Sequence, residues 1–122
     1  MLRKTVIAHL FVLSVAVGTS AGEPFEKSFE DSTLRIDYFH TGNAEQEIVA
    51  IDRLYRQGTW AGPLTRLIDG YSYGGYRVHA HDPESGTLLF SRGFDSYFGE
   101  YRTTSAATAG AMRTYHESVL LP

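Results

Sequence analysis

The 122-residue sequence contains no cysteine. No disulfide braces the chain, no thiolate serves as nucleophile or metal ligand, and no cysteine carries a lipid anchor. Positive charge is also in deficit. Eleven Lys and Arg stand against 14 Asp and Glu, a formal net charge of −3. That balance argues against nucleic acid or anionic lipid as a partner, since both require a positive field. Several catalytic signatures are missing as well. There is no Gly-x-Ser-x-Gly elbow and no Walker-type loop. His116-Glu117 is followed by Ser118, Val119 and Leu120, so the second histidine of a His-Glu-x-x-His zinc helix is absent. What remains is 43% hydrophobic and 13% aromatic, enough for one small domain with a real core. Each buried ring removes ~150–250 Å² from water.

The first 21 residues read as a secretory signal peptide. Arg3 and Lys4 form a basic start, residues 6–17 are mostly apolar, and Thr19-Ser20-Ala21 supplies small residues for cleavage. The apolar run falls short of the ~20 residues that span a bilayer. The expectation is export to the periplasm or medium, with no membrane span once the signal is removed. Cleavage takes away 2 of the 11 basic residues and leaves 9 against 14 acidic ones, a net charge near −5. Held by packing alone, the exported domain must rely on its aromatics.

Residues 22–31 are polar and acidic and read as an N-terminal arm, with Phe25 and Phe29 available to anchor it. Residues 32–122 read as a single, mainly β domain. Thr33 to His40 alternates, with Leu34, Ile36 and Tyr38 on one face and Arg35 and Asp37 on the other, as a half-buried strand does. Glu47 to Arg56 fits a helical stripe (Ile48, Ile51, Tyr55) nearly as well as a strand, but its β-branched content favours the strand. Trp60 lies between Gly58 and Gly62, where a lone tryptophan plugs one end of a core. Residues 76–91 form a hairpin around Asp82-Pro83-Glu84-Ser85-Gly86, in which Pro presets φ, Asp caps and Gly supplies the left-handed position. Thr103 to Arg113 suggests one short helical segment, capped by Thr103 or Thr104. The apolar Val119-Leu120-Leu121 ends the chain with no later strand to pair with, an exposed-edge hazard.

The chemistry is densest from Ser91 to Tyr101, which holds four aromatics, two glycines, an arginine and two carboxylates. Arg92, Phe94, Asp95, Tyr97, Phe98, Glu100 and Tyr101, together with Trp60, are the candidate binding or domain-interface residues. Asp95 and Glu100 are a conceivable acid/base pair, although glycoside hydrolysis needs two carboxylates ~5–9 Å apart across a cleft. The plainer expectation is that Arg92 or Arg102 pairs with one of them to pin a loop. His79 and His81 lie on one face of a strand and are weak metal candidates. Zinc requires three or four ligands, and the spacing of His40, Asp82 and His116 does not bring them near. No catalytic residue emerges.

Three blocks carry a resemblance: Thr33-Leu34-Arg35-Ile36-Asp37-Tyr38-Phe39-His40-Thr41-Gly42; Asp52-Arg53-Leu54-Tyr55 with Gly58-Thr59-Trp60-Ala61-Gly62; and Ser91 to Tyr101, followed by Arg113-Thr114-Tyr115-His116-Glu117. Together they resemble the N-terminal domain of the IgA-peptidase family of secreted zinc metallopeptidases, the sixty-fourth metallopeptidase family. The similarity covers residues 25–122. It implies an antiparallel β-sandwich, immunoglobulin-like or jelly-roll-like, which precedes a separate catalytic domain carrying the zinc helix. It implies no catalytic or metal residue at any position here, no cofactor on this chain, and the catalytic domain as partner. It also implies further strands beyond position 122, so that a fragment lacking its last strands is expected. The alternative is a stand-alone carbohydrate- or peptide-binding module that uses loop 92–101.

Overall fold

In the computed structural model the described residues are 24–122; the expected signal peptide lies outside them. The chain there runs α1 (Phe25–Ser28), β1 (Thr33–Gly42), β2 (Glu47–Gln57), β3 (Tyr76–His81), β4 (Leu88–Phe94), α2 (Tyr97–Tyr101), α3 (Ser105–Thr108) and β5 (Arg113–Leu121). The protein is mainly β, as its composition and alternation imply. All pairings are antiparallel, in a three-stranded sheet of order β2-β1-β5 and a two-stranded sheet β3-β4. Helix enters as three short segments where the sequence suggested one. The ambiguous stretch from Glu47 is indeed a strand.

β1 is central, and its alternation sets the layers. Ile36, Tyr38 and His40 turn towards the second sheet. Tyr38 and His40 are buried, whereas Leu34, at the strand's start, stays exposed. The opposite face was expected to be solvent, but Asp37 on it is buried. Arg35 reaches along the strand to it in a bidentate pair at 2.7 Å, and Ser118 Oγ donates from β5 at 2.7 Å. A buried carboxylate is tolerable because both of its oxygens are hydrogen-bonded, one of them twice. At the Asn43 turn, the Asn43 side-chain oxygen accepts from the Glu45 and Gln46 amides, both at 2.9 Å. An Asx turn of this kind satisfies backbone donors locally.

The core has two parts. Between the sheets lie Phe25, Trp60, Phe90 and Leu121, with Ile36, Val78, Ala80 and Val119 against them. The Trp60 ring meets Phe90 edge-on with centroids 5.9 Å apart, and its Nε1 donates to Pro63 O at 3.0 Å. Trp60 is thus a plug, with its one polar atom satisfied. At the other end, Phe98 and Tyr101 from α2 pack with Ala107 from α3, beside Ala44 and Tyr115. Ser96 caps α2 by accepting from Gly99 N, and Thr104 caps α3 by accepting from Ala107 N.

One expectation is corrected outright. Val119–Leu121 is not unpaired: β5 pairs with β1 along its length, from Leu34↔Leu121 to Gly42↔Arg113, and Leu121 is buried. The exposed strand is β2. Among the described residues it pairs only with β1, every one of its 11 residues is exposed, and its Ile48, Val49, Ile51 and Leu54 are 57–68% accessible.

Candidate functional site

The stretch that looked most like a site is divided between strand and helix and is not one loop. Arg92, Gly93 and Phe94 finish β4, and Tyr97 to Tyr101 form α2. Phe98 is fully buried and Tyr101 nearly so, as is Trp60. Those three rings are packed into the core. Arg92 and Glu100 are exposed, and Phe94 packs on Tyr76 with centroids 5.9 Å apart. Tyr97 alone of the run's aromatics is largely accessible, at 74%. Asp95 is occupied with structure, accepting Gly75 N at 2.8 Å. The expected Arg102 pairing is also redirected. Arg102 binds Glu47 on β2 at 2.6 Å and the Ala44 carbonyl at 3.2 Å, leaving Asp95 and Glu100 aside.

Gly93 and Gly99 are accounted for by what lies against them. A Cβ on Gly93 would sit 2.0 Å from the Tyr73 carbonyl oxygen, and one on Gly99 2.7 Å from the Tyr76 ring. Each glycine admits a close neighbour where a side chain would collide.

His79 and His81 share the exposed face of β3 with rings 5.7 Å apart. His81 Nδ1 lies 3.1 Å from the Gly86 carbonyl oxygen. His116 pairs with Asp52 on the three-stranded sheet, and Asp82 accepts from Glu84 and Ser85 in its own turn. Among the described residues no group of three or more His, Asp or Glu is placed to hold a metal ion.

The polar cluster that the structure does assemble surrounds His40. This ring is only 1% exposed. Its Nδ1 lies 3.0 Å from Glu117 Oε2 on β5, and its Nε2 lies 2.7 Å from Glu47 Oε1 on β2. Two ionised carboxylates only accept, so both contacts are satisfied together when both ring nitrogens carry hydrogen. Glu117 Oε1 accepts the Phe98 amide at 3.1 Å, and Arg102 completes Glu47. Phe98 lies against the His40 ring at 4.1 Å between centroids, and Tyr76 meets it edge-on at 5.2 Å.

The neighbouring titrations follow from the same packing. Burial and the Glu117 carboxylate push the Tyr38 phenol above its ordinary range. Burial and a hydrogen bond to Glu47 raise Tyr76. Burial alone would raise Glu47, but hydrogen bonds from His40 and Tyr76 and the charge of Arg102 outweigh it, and its carboxyl is held low. Sequence reasoning missed this cluster because His40, Glu47 and Glu117 come from three strands. Its signal was a histidine on the apolar face of β1, in register with Glu47's neighbour Val49 and with Tyr115. The cluster joins β1, β2 and β5 to β3 and α2, with the His40 ring at its buried centre and Glu47 and Arg102 at its accessible edge.

A second built feature lies in the loop between β2 and β3. Asp69 Oδ1 accepts Tyr71 N and Ser72 N, at 2.9 and 3.2 Å, and Oδ2 accepts Gly93 N at 2.9 Å. The Gly93 amide first, then those of Tyr71 and Ser72, hold the Asp69 carboxyl below its ordinary range. Tyr71 and Tyr73, which this carboxylate positions, are 80% and 76% exposed.

The family model described as Peptidase M64 N-terminus matches residues 24–122. No curated protein matches the chain.

Proposed function

The chain belongs to the peptidase M64 N-terminus family, and from that membership we propose that it is the non-catalytic, N-terminal β-sandwich module of an exported, IgA-peptidase-like zinc metallopeptidase. The observation that carries the reading is the family match, which spans every described residue and concerns the N-terminal part of such enzymes. Zinc and reaction belong, in this reading, to a separate catalytic domain with the His-Glu-x-x-His helix. The module's task is to pack on that domain and assist it.

Two features support this assignment. The ionic chemistry that the fold concentrates is turned inward around His40, where it ties strands together. β2 meanwhile offers an apolar strip that is exposed among the described residues, Val49, Ile51 and Leu54 towards the interlayer side and Ile48 on the other. Contiguous exposed apolar surface of this sort marks an interaction face. Export is supported by the leader-like residues 1–21. Among the described residues, no helix is long and apolar enough to cross a membrane.

The test has two arms. Purified chain should show no peptidase activity and no stoichiometric zinc; one zinc per chain by elemental analysis, lost in His79→Ala, would sink the proposal. In the second arm, the chain should co-elute with a catalytic domain of the same family added in trans. Ile51→Lys and Leu54→Lys should abolish co-elution without lowering the melting temperature.

A further inference from the structure

We propose that Tyr71 and Tyr73 form a stacking platform for the sugar rings of an oligosaccharide, at one end of a groove that runs over β4. The two phenol rings are parallel within 5°, with centroids 5.8 Å apart, and are the most exposed large hydrophobic side chains among the described residues. Scattered exposed aromatics need no explanation. Two that are adjacent, parallel and held in place do.

The holding is extensive. Asp69 binds the amides of Tyr71 and Ser72 with one oxygen and ties them to β4 through Gly93 with the other. Asp69's own amide donates to Ser91 Oγ at 2.8 Å. The Tyr73 carbonyl oxygen and the Phe94 backbone approach so closely that Gly93 and Gly74 leave no room for a Cβ. Ser72 and Arg66 are the non-glycine residues in the left-handed region among those described, each with φ 56°. Such outliers persist where surrounding structure enforces them, and they cluster at ligand sites. The backbone that carries the two rings is therefore ordered before a ligand arrives, and tyrosine has few side-chain rotamers left to fix, which lowers the entropic cost of binding.

The chemistry selects the ligand class. With centroids 5.8 Å apart there is no space for a third ring between the phenols, since two carbon contacts of ~3.5–4.0 Å would be needed. A proline clamped between aromatic walls is excluded on that ground, and what remains available is the outer surface of the pair. Nucleobases also stack on such surfaces, but their phosphates require a continuous basic track; here Arg66 and Arg92 of the adjoining groove are matched by the carboxylates of Asp69, Asp82 and Asp95 in a chain of net charge −3. A pyranose has an apolar C–H face to stack and a rim of hydroxyls that both donate and accept. Tyr71 also lines an open groove of about 1840 Å³ with Arg66, Ile68, Asp69, Leu89 and Arg92. This mixture of guanidinium, carboxylate and aliphatic side chains suits further sugar units of an extended chain, and it points to an uncharged oligosaccharide.

The purified chain is titrated by calorimetry with cellohexaose, xylohexaose, mannohexaose and chitohexaose, and with a proline-rich decapeptide. Saturable binding of at least one hexasaccharide is expected. Tyr71→Ala and Tyr73→Ala should each weaken it about tenfold, some 1.4 kcal/mol, with the melting temperature unchanged because both rings are exposed. Arg92→Ala should weaken it as well, and Tyr97→Ala should leave it intact. Three results overturn the proposal: no hexasaccharide binding up to about 10 mM, beyond the millimolar range of weak specific complexes; binding retained in the double Tyr71→Ala, Tyr73→Ala variant; or a double variant that loses affinity for the decapeptide alone.

Discussion

Phe98→Ala is the substitution that most directly separates the two roles open to the Ser91–Tyr101 stretch. A ligand-stacking ring would cost binding when removed and leave the fold untouched. Phe98 is instead fully buried, lies 4.1 Å from the His40 ring by centroids, and contributes the amide that Glu117 accepts. Truncating a buried phenylalanine loses its transfer free energy and leaves a cavity, together about 3–5 kcal/mol. Total stability for a domain of this size is only ~5–15 kcal/mol. Each kcal/mol lowers the melting temperature by about 4–8 °C in domains of up to 100 residues, so a fall of about 12–40 °C is expected. The neighbouring Tyr97→Ala, at a position 74% exposed, should stay within about 0.5 kcal/mol of the parent. Urea titration read by the fluorescence of Trp60, buried against Phe90 at the far end of the core, reports global unfolding for both variants. A Phe98→Ala loss below about 1 kcal/mol, or one equal to that of Tyr97→Ala, would refute the placement of α2 as a core helix.

Two further perturbations address other parts of the fold. The Asp37 carboxyl is held at about 2, first by the hydrogen bond from Arg35 and then by Ser118, whereas an unfolded Asp titrates near 3.9. Its contribution is present above pH ~4 and is lost as pH falls through about 4 towards 2; Asp37→Asn should flatten that part of the melting-temperature profile, and an unchanged profile would remove Asp37 from the acid response. Gly93→Ala places a Cβ 2.0 Å from the Tyr73 carbonyl oxygen, while Gly58→Ala meets nothing within 4 Å. The first should cost about 1–3 kcal/mol by forced displacement and the second far less, and equal melting temperatures would contradict the close approach of loop and strand.

Much of the strand layout was legible because it depends on local signals. The β3-β4 hairpin follows from Asp82-Pro83-Glu84-Ser85-Gly86, where Gly86 takes φ 71° and Asp82 caps the turn as its residue type predicts. α3 starts one residue after Thr104, which caps it. What stayed hidden was pairing across long separations. β5 finds β1 some eighty residues earlier, and nothing in Val119-Leu120-Leu121 itself specifies that partner. Asp37 looked like solvent-facing polarity by alternation, yet Arg35 and Ser118 cover it. Period-2 patterning reports which face a side chain takes, not whether that face is sheltered by neighbours.

The same limit explains why the candidate site moved. Density of binding-type residues along the chain made Arg92 to Tyr101 conspicuous, but aromatics serve cores and ligands equally well, and only burial distinguishes the uses. The structure spends Phe98 and Tyr101 on packing and leaves Tyr71 and Tyr73, in a glycine-rich loop with no apparent chemistry, as parallel exposed rings. Likewise the ionic groups that matter to the fold meet from three strands: His40 at the end of β1, Glu47 at the start of β2, and Glu117 in the middle of β5. That cluster, with the His40 ring buried at its centre, orients the sheets. The outside of the domain supplies two unlike surfaces. β2 presents Val49, Ile51 and Leu54 along a strand, suited to another protein layer, whereas the tyrosine pair is amphipathic and edged by carboxylate and guanidinium. Docking to a catalytic domain and contact with a glycan thus make no competing demands on the same residues.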